Sequence, residues 1–266
     1  MASEELTTRS MATTNDHKLA HTLATDTGVL LIELRKKLLH EGAAATVFRH
    51  EGDKQAHEYL MNSLADNRPN DAILSEEGSP NSKHPKRLST ERTWIIDPLD
   101  GTREYSEPPR KDWAVHVALV ETGEATVGAV ALPGLGITFS TSDPFDAEKI
   151  SLNSNKIKIA VSRTRPPAEA FIVAKKLNAD LVEMGSAGAK AMAVVRGEVD
   201  AYIHTGGQYE WDSCAPVAVA KAVGLHTSRI DGSALTYNRP DPYLPDLVIC
   251  RKELSKIILE TIATRL

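Results

Sequence analysis

Apolar positions near the start of the chain recur at helical spacing: Leu19, Leu23, Leu30, Leu31, Leu34 and Leu38 form one stripe, with Asn15 available as the cap. A second helix is expected over residues 53–64, where Ala56, Tyr59, Leu60 and Leu64 share a face and Asp53 sits at the start. The rhythm then shortens to β-rich runs at 72–74, 93–96, 113–120, 125–131 and 137–140. Turn signals at Thr122-Gly123 and Pro133-Gly134 make the last three an antiparallel meander. Between the first two runs, residues 78–91 are rich in Ser, Pro, Lys and Asn and read as a mobile surface loop.

From residue 155 strand and helix alternate. Strands are expected at 157–161, 181–184, 199–204 and 247–250, and helices after Pro166-Pro167, at 187–196, at 211–223 and at the C-terminus. There is no internal repeat. The expected organisation is a flexible tail (1–14), an α+β unit (15–152) and an α/β unit (153–266).

Composition narrows the class. A chain of 266 residues, 41% hydrophobic and 25% charged, can bury its own core and is not a disordered polymer. Its net charge of -5 gives no basic footprint for a nucleic acid polymer, so a small anionic ligand would need metal ions or a few placed Arg and Lys residues. The longest apolar runs are short and broken by Gly and Pro, which argues against a membrane span. The first residues lack the apolar stretch of a secretory signal, so the cytoplasm is the expected location, with Cys214 and Cys250 as reduced, buried thiols.

The candidate chemistry lies in Asp97-Pro98-Leu99-Asp100-Gly101-Thr102, directly after the apolar run that ends at Ile96. Pro98 and Gly101 impose a turn that lets Asp97, Asp100 and the Leu99 carbonyl converge, a set of hard oxygens suited to Mg²⁺. Taken alone, two Asp residues three apart favour a surface turn in which each bonds its own backbone. Further carboxylates stand at Leu74-Ser75-Glu76-Glu77-Gly78, after another strand, and at Trp211-Asp212-Ser213, at a helix start. Two such charges about 4 Å apart repel by about 4 kcal/mol at an effective dielectric of about 20, so a cluster of four demands protons or cations.

Together with Gly185-Ser186-Ala187-Gly188 and Val199-Asp200-Ala201-Tyr202, these strings resemble the inositol monophosphatase-like family of Mg²⁺-dependent, Li⁺-sensitive phosphatases, over nearly the whole chain. The resemblance implies a mixed α/β and α+β fold, a layered αβαβα sandwich, and two to three Mg²⁺ ions per site. It implies that Glu76, Asp97 and the Leu99 carbonyl hold one metal, that Asp97, Asp100 and Asp212 hold a second, and that a third ion beside Glu76 holds the attacking water. Asp53 and Thr102 match the pair that orients this water, although Arg49-His50-Glu51-Gly52-Asp53 is a diverged form of the family string. In-line displacement without a phosphoenzyme follows from the resemblance, with a small phosphorylated metabolite as partner and a monomer or homodimer as the assembly.

Gly101-Thr102-Arg103-Glu104-Tyr105 and Gly207-Gln208-Tyr209-Glu210-Trp211-Asp212-Ser213 are similar to the branch that removes the 3′-phosphate of 3′-phosphoadenosine 5′-phosphate. On that resemblance Arg103 and Lys190 are candidates for the second phosphate, though solvated surface cations fit the sequence as well. Tyr209 and Trp211 are weighed as partners of a base against packing in the core. Ser186 and Gly188 open a helix whose free N–H groups could meet substrate oxygens, beside Asp100, Gly101, Thr102 and Asp212. Glu210 matches a carboxylate that bonds substrate hydroxyls, or is an exposed loop acid. Two rivals stay open: a broad phosphatase acting on inositol 1-phosphate or fructose 1,6-bisphosphate, and a catalytically silent phosphometabolite-binding protein.

Overall fold

The computed structural model of the chain describes residues 12–78, 85–142 and 156–264. Helices α1 (Thr14–His40) and α2 (Ala45–Asn67) lead into β1 (Ala72–Ser75), β2 (Arg92–Asp100), a one-turn helix α3 (Thr102–Tyr105), and the strands β3 (Ala114–Glu121), β4 (Glu124–Leu132) and β5 (Ile137–Ser140). There follow β6 (Lys158–Ser162), α4 (Ala168–Leu177), β7 (Asp180–Met184), α5 (Ala187–Val195), β8 (Ala201–Tyr209), α6 (Glu210–Ala222), β9 (His226–Ser228), β10 (Tyr243–Cys250) and α7 (Lys252–Ala263).

Two five-stranded sheets result. The first has the order β1-β2-β3-β4-β5, with β1 parallel to β2 and the rest antiparallel, so the expected meander is present. The second has the order β7-β6-β8-β10-β9, with β6 parallel to both β7 and β8. Helices α1 and α2 cover the outer face of the first sheet, α5 and α6 lie between the sheets, and α4 and α7 pack on the second. This is the αβαβα sandwich. It explains why β3 is apolar apart from His116 and Glu121, since both of its faces are covered and all eight residues are buried.

Several local expectations change. The first helix is capped by Thr13, not Asn15: the Thr13 side chain accepts from the Asp16 N–H, and Asp16 returns the bond to the Thr13 backbone. Ala12 N also donates to Glu121, so the ordered chain begins before residue 15, while residues 1–11 lie outside the described part. Helix α2 starts at Ala45, about two turns before Asp53. No side chain caps that end, which left no signal to read, and Asp53 falls inside the helix. The loop expected at 78–91 holds a 3₁₀ turn, Pro85–Ser89, with Arg87 only 2% exposed; residues 79–84 lie outside the described part. Strand β9 was not expected, and the stretch around the division at 152 lies outside the described residues. Both cysteines are free and buried. Among the described residues no helix is long and apolar enough to cross a membrane.

Candidate active site

The site forms where β1 and β2 end side by side. Parallel pairing sets Ser75 against Ile96, and Glu76 N donates to the Ile96 carbonyl, so Glu76 leaves its strand level with Asp97. Pro98 has no N–H to give, and the β2–β3 register slips between Asp97 and Asp100. The strand therefore continues through the motif as a bulge. Gly101 then turns the chain into α3 at φ 85°, in a space where a Cβ would lie 3.0 Å from the Ser186 Cβ.

Asp97 Oδ1 accepts from Leu99 N at 3.1 Å, which orients its carboxylate. Asp212, in the first turn of α6, accepts from Tyr209 N at 2.7 Å and closes that helix end. Oxygens of Asp97, Asp100 and Asp212 lie within 4.8 Å of one another. The Glu76 and Asp97 carboxyls act on each other's charge. Loss of water and then the Asp212 charge push Glu76 up to about 8. Burial, followed by Glu76 and Asp100, raises Asp97 well above the carboxylate range. Burial, then Asp100, lifts Asp212 to about 6.

Asp100 behaves oppositely. Burial disfavours its charge, but His116, the Ser186 hydroxyl and the Gly188 N–H outweigh it and hold the group at about 2. Its Oδ2 accepts from Ser186 Oγ at 2.6 Å and Gly188 N at 2.6 Å, and its Oδ1 from Ala187 N at 3.1 Å. The first N–H groups of α5 thus grip a protein carboxylate, which corrects the expectation that Ser186 and Gly188 leave them free for substrate. Asp53 and Thr102 do meet, at 3.3 Å, and Thr102 Oγ1 also donates to the Leu99 carbonyl at 3.1 Å. Burial and then Glu77 raise Asp53 to about 7.

A cleft of ≈ 770 Å³ opens from this cluster. Glu76, Asp100, Gly101, Arg103, Lys190 and Asp212 line it. Arg103 is exposed, whereas Lys190 is 4% exposed, donates to the carbonyls of Gly185 and Ser186, and lies 5.1 Å from the Tyr202 ring centroid. Burial brings Lys190 down to about 8, so the solvated-cation reading does not hold for it. Trp211 is buried beneath Tyr209, their rings stacked at 4.8 Å, and it is Tyr209 and Tyr243 that expose rings to the cleft.

Glu210 is fully buried and accepts from Asn238 N at 2.7 Å and Arg239 N at 2.9 Å, so it is neither an exposed acid nor part of the cleft wall. Arg87 binds the same segment from the other side, through Asn238 Oδ1 and the carbonyls of Arg239 and Pro240. Sequence reasoning missed His116, whose Nε2 lies 3.2 Å from Asp100 Oδ2. The available signal was a titratable residue inside the otherwise apolar run 113–120, which needs a buried partner.

The fold and the carboxylate cluster at its strand ends are those of a family of phosphoric monoester hydrolases, as the chain's relatives show. The chain belongs to the inositol monophosphatase family, whose family model matches residues 15–265. It is similar to a protein of Mycobacterium leprae named 3′-phosphoadenosine 5′-phosphate phosphatase, 48% identical over 93% of each chain. A 3′(2′),5′-bisphosphate nucleotidase CysQ of Escherichia coli is 29% identical over 72% of this chain and 80% of that protein. Among solved structures, inositol monophosphatase II of Staphylococcus aureus shares the fold with a TM-score of 0.76, at 19% identity over 93% of each chain.

Proposed function

We propose that the protein is a Mg²⁺-dependent, Li⁺-sensitive bisphosphate nucleotidase that hydrolyses the 3′-phosphate of 3′-phosphoadenosine 5′-phosphate, giving AMP and phosphate. The observation that carries this reading is the 48% identity, along 93% of each chain, to the mycobacterial protein of that name. The cleft supports it. One end holds the carboxylate cluster, and elsewhere its wall bears Arg103 and Arg165 with the rings of Tyr209 and Tyr243, as an ester with a second phosphate and a flat base would need.

Divalent cations fit the cluster, because three carboxylates that share 4.8 Å supply hard oxygens, and two of them resist ionisation without a counter-charge. Glu76, Asp97, Asp100, Asp212 and the Leu99 carbonyl would hold two to three Mg²⁺. When bound, the cations polarise the phosphoryl group and acidify a water. Asp53, poised at about 7 beside the Thr102 hydroxyl, can accept the proton of that water near neutral pH. Arg103, free at the cleft, is placed to bind the second phosphate. Tyr209 and Tyr243 offer ring faces to the base.

Phosphate release tests the reading across 3′-phosphoadenosine 5′-phosphate, 2′-AMP, inositol 1-phosphate and fructose 1,6-bisphosphate, with Mg²⁺, with EDTA, and with millimolar Li⁺. The bisphosphorylated nucleotide should give the highest kcat/KM, with turnover lost in EDTA and suppressed by Li⁺. A preference for inositol 1-phosphate refutes the substrate, and turnover in EDTA refutes the metal chemistry.

A further inference from the structure

His116 is a buried ionisable side chain against the cluster to which the mechanism above gives no task. It is fully buried in β3 and stands opposite Asp97 in the β2–β3 register. Its Nε2 lies 3.2 Å from Asp100 Oδ2, and its Nδ1 lies 3.0 Å from the carbonyl oxygen of Trp211. Trp211 immediately precedes Asp212. One rigid ring therefore spans from a carboxylate at the end of β2 to the first turn of the helix that presents another carboxylate of the same cluster.

The ring has little room to shift. A Cβ on Gly188 would lie 2.1 Å from Nε2 and 3.0 Å from the Ala114 Cβ, so α5 packs directly on the imidazole. The donors from Ser186, Ala187 and Gly188 tie Asp100 to α5, whereas the His116 ring, in ion-pair range of Asp100 and against the Trp211 carbonyl, stands between Asp100 and α6. We propose that His116 is a positioning residue that fixes the placement of Asp100 relative to Asp212, and thereby the affinity of the divalent-cation subsite they share. The inference rests on the metal reading of the cluster. Groups that orient metal-binding carboxylates from behind typically contribute 10- to 100-fold to metal affinity.

Two substitutions separate the ring's contacts. In His116→Gln the amide nitrogen stands as many bonds from Cα as Nε2 and can keep the Asp100 contact; in His116→Asn it replaces Nδ1 and keeps only the Trp211 carbonyl. Calorimetric titration of the EDTA-stripped protein with Mn²⁺ should show binding weakened about 10- to 100-fold in His116→Asn and by only a few-fold in His116→Gln. In His116→Asn, kcat should recover as metal is raised, with KM for the nucleotide little changed at saturating metal. Gly188→Ala, which presses on an intact ring, should also weaken Mn²⁺ binding and serves if His116→Asn fails to fold. Wild-type affinity in a folded His116→Asn or in Gly188→Ala overturns the inference, and so does equal weakening in Asn and Gln variants that tracks a fall in Tm. Failure of the wild-type protein to bind Mn²⁺ removes the metal reading itself, and this inference with it.

Discussion

Asp212→Asn should make the metal-free protein more stable, although it removes a side chain the cluster needs. Asp212 rises from 3.8 to about 6 in the fold, chiefly through burial and then the nearby Asp100 charge. A carboxyl raised in this way binds its proton more tightly folded than unfolded. Its stabilising contribution is complete below pH 3.8 and is lost as pH rises through about 6. By pH 8 the wild-type chain carries a penalty of about 3 kcal/mol, taking about 1.4 kcal/mol per pH unit. Asparagine stays neutral, and its carbonyl oxygen can still accept from Tyr209 N, as Asp212 does at 2.7 Å, so the helix cap survives.

Scanning calorimetry in EDTA at pH 8 should therefore place Tm of the variant roughly 6–12 °C above wild type, at about 2–4 °C per kcal/mol for a chain of this size. The gap should narrow steadily with acid and nearly close by pH 4. Mg²⁺ at about 1,000 times its Kd should reverse the order, since it stabilises wild type by about 4.1 kcal/mol, more than the penalty, and the variant has lost one of the cluster's carboxylates. A variant less stable than wild type in EDTA at pH 8, or a gap that does not change with pH, refutes the electrostatic account of the cluster.

Asp97→Asn should abolish phosphate release at saturating Mg²⁺ while near-UV circular dichroism stays that of wild type; a folded variant with near wild-type turnover removes the motif from the reaction. Arg103→Ala should lower kcat/KM on the bisphosphorylated nucleotide about tenfold to hundredfold and leave 2′-AMP hydrolysis nearly unchanged, as a charge-assisted contact of about 1.5–3 kcal/mol predicts. Lys190→Met should instead lower Tm and impair all substrates alike, because its ammonium is spent on the carbonyls of Gly185 and Ser186. Arg87→Ala strands Asn238 Oδ1 and two carbonyls that its guanidinium now satisfies, so urea unfolding should show a loss of about 2 kcal/mol or more. A loss under about 0.5 kcal/mol would mean that water replaces those bonds.

What the sequence reveals here depends on how far apart in the chain the causes lie. Asp97 and Asp100 are legible because the strand, the Pro98 interruption and the Gly101 turn that aim them are contiguous. Asp53 was placed in the right company but on the wrong part of its helix, because Ala44 and the residues before it carry no cap to mark the true start. Glu210 shows the opposite failure. A carboxylate two residues from an Asp of the cluster reads as a functional group, yet its partners are the N–H groups of residues 238 and 239, which only the tertiary fold brings to it. The same holds for the start of α5: the sequence announces free N–H groups, and the approach of β2 fills them with Asp100.

That last contact separates the carboxylates into two kinds. Asp100 is held charged by protein donors at about 2, whereas Glu76, Asp97 and Asp212 are held back from ionising by burial and by each other. A divalent cation entering such a site meets one anchor already ionised and displaces protons from the others, so its affinity must rise with pH through the range of about 6 to 8. The carboxylates are thus written in short strings of sequence, but their division into charged and protonated members is set by packing around Asp100, from β3, α5 and α6 together.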